Sequence, residues 1–389
     1  MNRDRLLKIF DNYIKKFELI NNPECNENYK WRVAKEFHDL MDPALPSFAS
    51  RLKEAWKLSE NLIDSSNRYC FSALVSCANE HKAEEEVRQL FVALFADDGG
   101  DLTIRQQKIL TFIENSNALI SQLHSTNNMF MNDQRSAMGY LFLYDPDNHY
   151  LYKASEANSF ASCVEFYDDW GSGANFKLDL FYRMCDMIVA EIRQFQALVD
   201  THNSRFFDKD ANPVDDMHPD SNYHILVFDI IYGAPEFRYN FYEGIPFSNI
   251  TAQARKLHVE RTEKAQKLYA DLAKAQERAN LLKEAQDYFA SVLHVGMQVN
   301  HRMFGAGEIR SLGDVYAKSS TMTVFFPNKN EEKAFQIMLS FAGGFITAEV
   351  EGMTEKVALY RSVINSQSSI ESNLVSAQKA FEPYKDYLN

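Results

Sequence analysis

The chain has 389 residues, of which 46% are hydrophobic and 13% aromatic, enough for two or three domains with sizeable cores. No apolar run approaches the roughly 18 to 20 residues that a membrane span needs, and the charged segment 1–17 predicts an amphipathic helix rather than a signal peptide. We therefore expect a globular cytoplasmic protein that makes no membrane contact. The five cysteines include no C-x-x-C pair, which argues against a disulfide framework and a zinc site.

Acidic charge is concentrated in the first two thirds of the chain. Residues 1–250 carry 24 Lys and Arg against 38 Asp and Glu, a net charge of −14, whereas residues 251–389 carry 17 against 16, a net charge of +1. An acidic surface repels phosphate backbones at long range. Any contact with nucleic acid is therefore expected to use a local cleft or the near-neutral last third.

Helical periodicity dominates residues 1–247, which we interpret as a helical recognition domain. Apolar residues recur at spacings of three and four, as on one face of an amphipathic helix. Two stripes show this best: Leu6, Phe10, Ile14 and Phe17, followed by Trp31, Ala34, Phe37 and Leu40. At helical spacing, such aromatic stripes are typical of a core.

An aromatic block surrounds the turn at residues 145–148 and ends in a single cation. Aromatic rings beside a lone lysine could stack a base and neutralise its phosphate, as in single-strand and flipped-base pockets. This interpretation makes four residues candidates for nucleic-acid binding: Tyr144, Tyr150, Tyr152 and Lys153. The alternative is that the tyrosines line a seam between helices with their hydroxyls satisfied, and the sequence leaves both open.

Residues 248–294 predict a long helical arm, because the stretch from Thr251 to Phe289 contains neither Gly nor Pro. One face has the alternating spacings of a coiled-coil seam: Leu268, Leu272, Ala275, Ala279, Leu282, Gln286 and Phe289. Residues 348–389 repeat the pattern before Pro383 ends it, at Val363, Ile370, Leu374, Ala377 and Phe381. The C-terminal helix could return antiparallel along the arm, or the same seam could form a parallel homodimer.

Between these helices, residues 295–347 predict a small all-β module. Met297 to His301 alternates apolar and polar residues, and three further β-branched or aromatic runs follow, at Gly307–Leu312, Met322–Phe326 and Lys333–Met338. Strands this short hide their edges only if the sheet curls, which favours a five-stranded SH3-like barrel. The predicted fold class is therefore mainly α with this small β barrel.

The barrel segment resembles the Tudor-like barrel that ends UvrD/PcrA-type helicases. The resemblance rests on Val299, His301, Phe304, Gly305, Gly307 and Ile309, followed by the strand Val324–Phe326. In that family the barrel is an adaptor that docks on protein or nucleic acid without catalysis, so the resemblance implies a docking function. The long loop Gly313–Thr321 departs from the pattern, and the partner does not carry over. The barrel residues that we nominate for partner contacts are His301, Phe304, Arg310 and Phe326.

A second resemblance covers most of residues 25–235, which are similar to the helical region upstream of the motor in some McrB-like restriction proteins. It rests on four segments in matching order: Tyr29–Trp31, Leu90–Asp97, Tyr140–Lys153 and Asn222–Tyr232. The resemblance implies a region that senses DNA, with Tyr150, Tyr152 and Lys153 as the positions of interest. No G-x-x-x-x-G-K-[ST] occurs, so the sequence predicts no nucleotide-driven motor.

The patterns favour a non-catalytic recognition or adaptor subunit, and the two resemblances imply a bacterial nucleic-acid transaction, with restriction or phage defence as the favoured setting. We expect no cofactor, metal or catalytic residue, and expect DNA or a DNA-bound protein as the partner, with a separate enzyme subunit. One alternative is a protein-only scaffold that binds a polymerase or helicase. A minor alternative is a metal-dependent nuclease built on Asp229, Glu236 and Arg238.

Overall fold

The structure, a computed structural model, describes residues 1–65, 67–208, 210–317 and 319–388. Within these ranges the chain is mainly helical and carries one five-stranded antiparallel sheet near its C-terminus, which confirms the predicted fold class at this level. The chain divides into two compact units, Met1–Arg255 and Lys256–Asn389, called unit 1 and unit 2 below. In the described part of the chain, no helix combines the length and the apolar character that crossing a bilayer requires.

The regular elements in the described residues of unit 1 are helices, joined by loops that contain two isolated β-bridges, Ser65–Arg68 and Phe207–Pro213. Its helices are α1 Arg3–Ile20, α2 Tyr29–Met41, α3 Phe48–Ile63, α4 Cys70–Asn79, α5 Glu84–Phe95, α6 Leu102–Leu123, α7 Gln134–Tyr144, α8 Ala154–Cys163, α9 Leu178–Ile192, α10 Gln196–Ser204 and α11 His224–Gly233. The two predicted stripes lie on α1 and α2, where most of their residues are buried and the others half-buried. The prediction that they belong to a core is confirmed.

Side-chain caps show why two of these helices begin where they do. The Asp101 carboxylate accepts hydrogen bonds from the backbone N–H groups of Thr103 and Ile104, at 2.7 and 3.3 Å, in the first turn of α6. At α7, Asp133 and Ser136 form a reciprocal capping box, with bonds of 3.1 and 3.0 Å. Both caps satisfy N–H groups that have no partner inside their helix.

Unit 2 combines a small sheet with helices. Its strands are β1 Gln298–His301, β2 Gly305–Leu312, β3 Thr321–Phe326, β4 Glu331–Gln336 and β5 Ile346–Thr347, and its helices are α12 Ala252–Val292, which begins in unit 1, α13 Ile337–Ala342, α14 Met353–Asn365 and α15 Gln367–Phe381. The strand order is β4-β3-β2-β1-β5, so β4 and β5 are edges and the sheet is a curled half-barrel. Closure into a complete SH3-like or Tudor-like barrel stays a prediction.

One predicted strand boundary was wrong. The run Lys333–Met338 was expected to be extended, but β4 ends at Gln336 and Met338 lies in α13. Ile337, Met338 and Phe341 are all buried. Their spacing of one and three fits a helical turn, so the apolar pattern changes from the period of a strand to that of a helix at this point.

Two glycines allow the tight packing of the half-barrel. Gly305 has a φ of +78°, in the left-handed region that favours glycine. A Cβ at Gly307 would lie 2.7 Å from Val324 and 2.8 Å from Phe326, both buried on β3. Only a residue without a side chain therefore lets β2 cross under these two side chains.

The C-terminal segment runs antiparallel to α12. Tyr288 packs near Tyr360, Arg278 donates a 2.6 Å hydrogen bond to Ser366, and Tyr269 packs near Phe381. The partner numbers rise as the α12 numbers fall, as an antiparallel pair requires. The residues predicted for the α12 seam are half-buried or buried, while most of the intervening residues are exposed. The chain's own C-terminal segment therefore lies along this helix, and a homodimer through the same seam would have to displace it.

Candidate docking site at the end of the half-barrel

Three turns meet at one end of the half-barrel. The turn at residues 302–304 joins β1 to β2, and the turn at 327–330 joins β3 to β4. A Cβ at Gly305 would lie 3.9 Å from the Asn328 amide, which brings these two turns together. The third turn, at residues 343–345, joins α13 to β5, and the Arg302 N–H donates a 3.0 Å hydrogen bond to the carbonyl of Phe345 in this turn. We call residues 302–304, 327–330, 333 and 345 the Phe304 end.

His301 holds the first of these turns. Its Nδ1 accepts hydrogen bonds from the backbone N–H groups of Met303 and Phe304, at 3.0 and 3.2 Å. The ring is 5% exposed, and burial lowers the pKa of His301, which favours the neutral imidazole that can accept at Nδ1. The ring centroids of Phe304 and Phe335 lie 4.7 and 4.9 Å away. His301 thus joins β1 to β4 across the curl of the sheet.

Phe304 presents an aromatic ring to two lysines. The ring packs against the buried Phe326 with a centroid distance of 5.2 Å. The Nζ atoms of Lys329 and Lys333 lie 5.2 and 5.9 Å from the Phe304 centroid, within the range of cation–π attraction. Lys333 also forms a 3.0 Å ion pair with Glu331, in which both partners are more than 40% exposed, so water screens the pair strongly. The cations give this end a preference for negatively charged groups.

Two large apolar side chains are exposed at the same end. Met303 is 76% exposed and Phe345 is 54% exposed. The Phe345 ring lies over Gly343, where a Cβ would approach to 2.7 Å, and Gly344 follows with a φ of +70°. Single exposed apolar residues are ordinary, but a pair beside cations in adjoining turns is typical of an interaction surface.

The four barrel residues nominated from the sequence separate into three groups. Phe304 lies at the candidate site, and His301 and the fully buried Phe326 support it from beneath. Arg310 does not join them: it forms a 2.9 Å ion pair with Glu308 and lies 5.3 Å from the ring centroid of Phe325. In β3, Phe325 alternates with the buried Val324 and Phe326, so Arg310 belongs to the opposite face of the sheet.

In unit 1, the structure places Tyr150 and Tyr152 in the core. They are 3% and 5% exposed, respectively. The Tyr150 hydroxyl donates a 2.8 Å hydrogen bond to Asp186, and the Tyr152 hydroxyl accepts a 3.2 Å bond from the Trp170 indole. The second of the two interpretations, a seam with satisfied hydroxyls, describes these tyrosines, and in this conformation neither ring is open to a base.

Lys153 is engaged by the end of a helix. Its Nζ donates to the carbonyl of Leu62, and Arg135 donates to the carbonyl of Ile63, both in the last turn of α3. Such carbonyls have no partner within their helix and attract cations. Burial, followed by the nearby Arg135 charge, lowers the pKa of Lys153 to about 8. Lys153, the cation that suggested a phosphate contact, is thus already hydrogen-bonded within the protein.

Tyr144 has neighbours on both ring faces. Phe95 stacks on it at 3.9 Å between centroids and an interplanar angle of 1°, and His38 lies 4.7 Å away at 27°. The ring is half-buried. Of the four nucleic-acid candidates, none therefore presents an open ring face or an unengaged cation.

Asp229, the first residue of the nuclease alternative, belongs to a buried ion cluster. Its carboxylate accepts a 2.7 Å bond from the Tyr13 hydroxyl and a bond from Lys30, while Glu27 lies 2.6 Å from the same lysine. Burial opposes the charge of Lys30, but Asp229 and Glu27 raise its pKa above the usual value. Glu236 is exposed. The structure therefore uses Asp229 to neutralise a buried lysine.

Comparisons with protein-family models, with curated proteins and with solved structures found no match. The resemblances to UvrD/PcrA-type barrels and to McrB-like proteins therefore stay predictions.

Sequence reasoning missed most of the Phe304 end. Met303, Lys329 and Phe345 lie in turns, whose place on a common surface depends on the curl of the sheet. Lys333 and Phe335 were assigned to a strand but not to a site. Their spacing was a usable signal, because residues two positions apart on a strand lie on the same face of the sheet.

Proposed function

We propose that this chain is a non-catalytic adaptor that docks on a partner through the Phe304 end, in a nucleic-acid transaction whose enzyme is a separate chain. The setting that we propose is bacterial restriction or phage defence, following the resemblance of residues 25–235 to McrB-like proteins. The resemblance of the barrel to helicase-tethered Tudor-like modules supports the adaptor role in the same way.

The observation that carries the proposal is the surface formed by Met303, Phe345 and the cations around Phe304. Covering exposed apolar area of this kind with a partner stabilises the complex by about 25 cal/mol per Å². Adjacent cations add orientation and selectivity for an acidic partner rather than most of the affinity. Such a combination suits reversible docking.

Two classes of partner suit the Phe304 end, an acidic protein and DNA. The net charge of −14 over residues 1–250 disfavours DNA more than a protein partner, because a DNA backbone carries a much higher density of negative charge than a protein segment with a few carboxylates. The cations of the Phe304 end leave DNA as the second candidate, with contacts limited to this end.

The test uses a charge-reversal pair, Lys329→Glu with Lys333→Glu, in the full-length chain. The matched control is Lys274→Glu with Lys283→Glu, which reverses two exposed charges on α12. Fluorescence anisotropy with single-stranded, double-stranded and base-modified DNA, at low and moderate salt, is combined with copurification of the proteins encoded by neighbouring genes.

We expect the charge-reversal pair to weaken partner binding at least tenfold and the control to leave it unchanged. Binding to a neighbour-encoded protein but to no DNA supports the protein scaffold, and binding to DNA supports the second candidate. A partner that binds both variants as tightly as wild type contradicts the proposed site.

A further inference from the structure

The outer edge of β4 carries backbone groups that turn away from the sheet. The Ile337 N–H donates a 3.1 Å bond to Ser320, and β4 pairs with β3 in one continuous antiparallel register. In such a ladder, alternate residues bond inward and outward. Residues 331, 333 and 335 therefore bond β3, while Glu332 and Ala334 direct their N–H and C=O groups outward.

The residues that carry these outward groups lie at the surface. Glu332 and Ala334 are exposed, and in the described ranges their N–H and C=O groups make no hydrogen bond to the chain. An edge of this kind is a template for an added strand. The charged residues of β4 disfavour pairing with arbitrary strands and favour a strand whose charges are complementary to theirs.

The side chains of β4 connect this edge to the candidate docking site. Lys333 and Phe335 share the face of β4 that lies toward Phe304 and His301. A strand added to the edge would place alternate side chains beside these two residues. One position would meet a cation, and the position two residues along would meet an aromatic ring.

We propose that β4 accepts an extended segment of a partner protein as a sixth strand, with an acidic residue beside Lys333 and an apolar residue beside Phe335. This inference rests on the proposed function and specifies its partner. Peptide backbone offers the alternating donors and acceptors that the open edge lacks, whereas a DNA backbone offers acceptors alone. The charges of Lys329 and Lys333 favour an acidic residue at that position, where it would replace Glu331 as the ion-pair partner of Lys333.

The first experiment selects a displayed library of random dodecapeptides on the intact protein, in parallel on wild type, Ala334→Pro and Ala334→Val. Proline removes the outward N–H and is tolerated at edge positions that face solvent, while valine keeps it. We expect peptides rich in Asp and Glu to be enriched on wild type and on Ala334→Val, and at least tenfold less on Ala334→Pro. Equal enrichment on all three proteins overturns strand addition.

The second experiment keeps the protein unaltered and changes the best-enriched peptide. N-methylation at alternate residues blocks either the backbone edge facing β4 or the opposite edge. We expect one of the two methylated series to bind at least tenfold more weakly and the other to bind as the parent peptide does. Equal binding of both series overturns the proposal even if the proline variant fails to fold.

The outcomes separate this inference from the proposed function. If Lys329→Glu with Lys333→Glu abolishes binding while Ala334→Pro does not, the docking site stands and strand addition falls. Binding of a dT20 oligonucleotide that Ala334→Pro leaves unchanged, with no peptide enrichment, overturns the peptide partner in favour of nucleic acid. Concentration-dependent dimers in light scattering that Ala334→Pro removes would assign the edge to a second copy and likewise overturn the proposal.

Discussion

Aromatic rings lie beside lysines in both units, but the two arrangements differ in what the lysine contacts. In unit 1, Lys153 follows Tyr150 and Tyr152 and donates to the carbonyl of Leu62 at the end of α3. In the half-barrel, Lys329 and Lys333 lie over the Phe304 ring at the surface. The same residue types thus complete a fold in one place and present a surface in the other.

The difference teaches that an aromatic–lysine pattern alone does not identify a binding site. A helix end supplies carbonyl groups that need partners, and a nearby lysine satisfies them before any ligand can. Tight turns at the end of a small sheet cannot bury long side chains, because too little protein surrounds them. Position in the fold therefore separates the two cases.

The largest expected effect comes from Lys30→Met in unit 1. The change leaves Asp229 and Glu27 buried without their counter-ion, and we expect the free energy of unfolding to fall by about 3–5 kcal/mol. All three tryptophans, at 31, 56 and 170, belong to unit 1, so urea unfolding followed by tryptophan fluorescence reports this unit. Lys53→Met on the exposed side of α3 is the control, and a loss below about 1 kcal/mol for Lys30→Met would contradict a structural role.

The next effect is the acid sensitivity that His149 gives to unit 1. Burial, with Arg105 nearby, lowers the pKa of His149 to about 3 from an ordinary value of 6.5. Below pH 6.5 the unfolded chain takes up a proton that the folded chain refuses, so this contribution to stability is complete above pH 6.5 and is lost as the pH falls toward 3.

Between pH 7.5 and 5.5, His149 should cost the wild type about 1.4 kcal/mol of unfolding free energy. The measurement is urea unfolding of wild type and His149→Gln at both pH values. We expect the wild type to lose more stability than the variant by that amount, and equal losses would show that His149 titrates normally.

A smaller effect is expected for Lys153→Met, which tests the unit 1 side of the comparison. Loss of the bond to Leu62 should reduce stability by about 1 kcal/mol, since Arg135 still serves the adjacent carbonyl. DNA binding, if present, should not change. A variant of wild-type stability that loses DNA binding would restore Lys153 as a nucleic-acid contact.

The smallest stability effect belongs to Lys329→Glu with Lys333→Glu. Both side chains are at the surface, so we expect the free energy of unfolding of unit 2 to change by less than about 0.5 kcal/mol, with a correspondingly small shift of its thermal midpoint. Circular dichroism of the variant and of the α12 control measures it. A large loss would mean that these lysines stabilise the half-barrel rather than serve a partner.

Much of the fold followed from local pattern. The seam from Leu268 to Phe289 and the strands around Val299 and Val324 depend on spacings that neighbouring residues determine. The end of β4 was missed because an apolar residue such as Met338 suits a strand as well as a helix. Its place in α13, with the buried Ile337 and Phe341, depends on packing that the local pattern does not show.

The candidate site could be predicted only in part. Phe304 was found from a short motif beside two glycines. Lys333 and Phe345 lie near Phe304 only because the sheet curls, and that curl results from pairing between strands that are distant in sequence. Tyr150 and Tyr152 were nominated because burial cannot be read from residue type when tyrosine suits both a core and a surface.

Lysine acetylation of the native protein at pH 8, resolved by peptide mass spectrometry, tests the comparison most directly. The lowered pKa of Lys153 would make its amine more reactive than an ordinary lysine if reagent could reach it. We predict that Lys329 and Lys333 react as exposed lysines do, while Lys153 and Lys30 react at least tenfold more slowly until the protein is unfolded. Rapid labelling of Lys153, or protection of Lys329 and Lys333 in the isolated chain, would contradict the account.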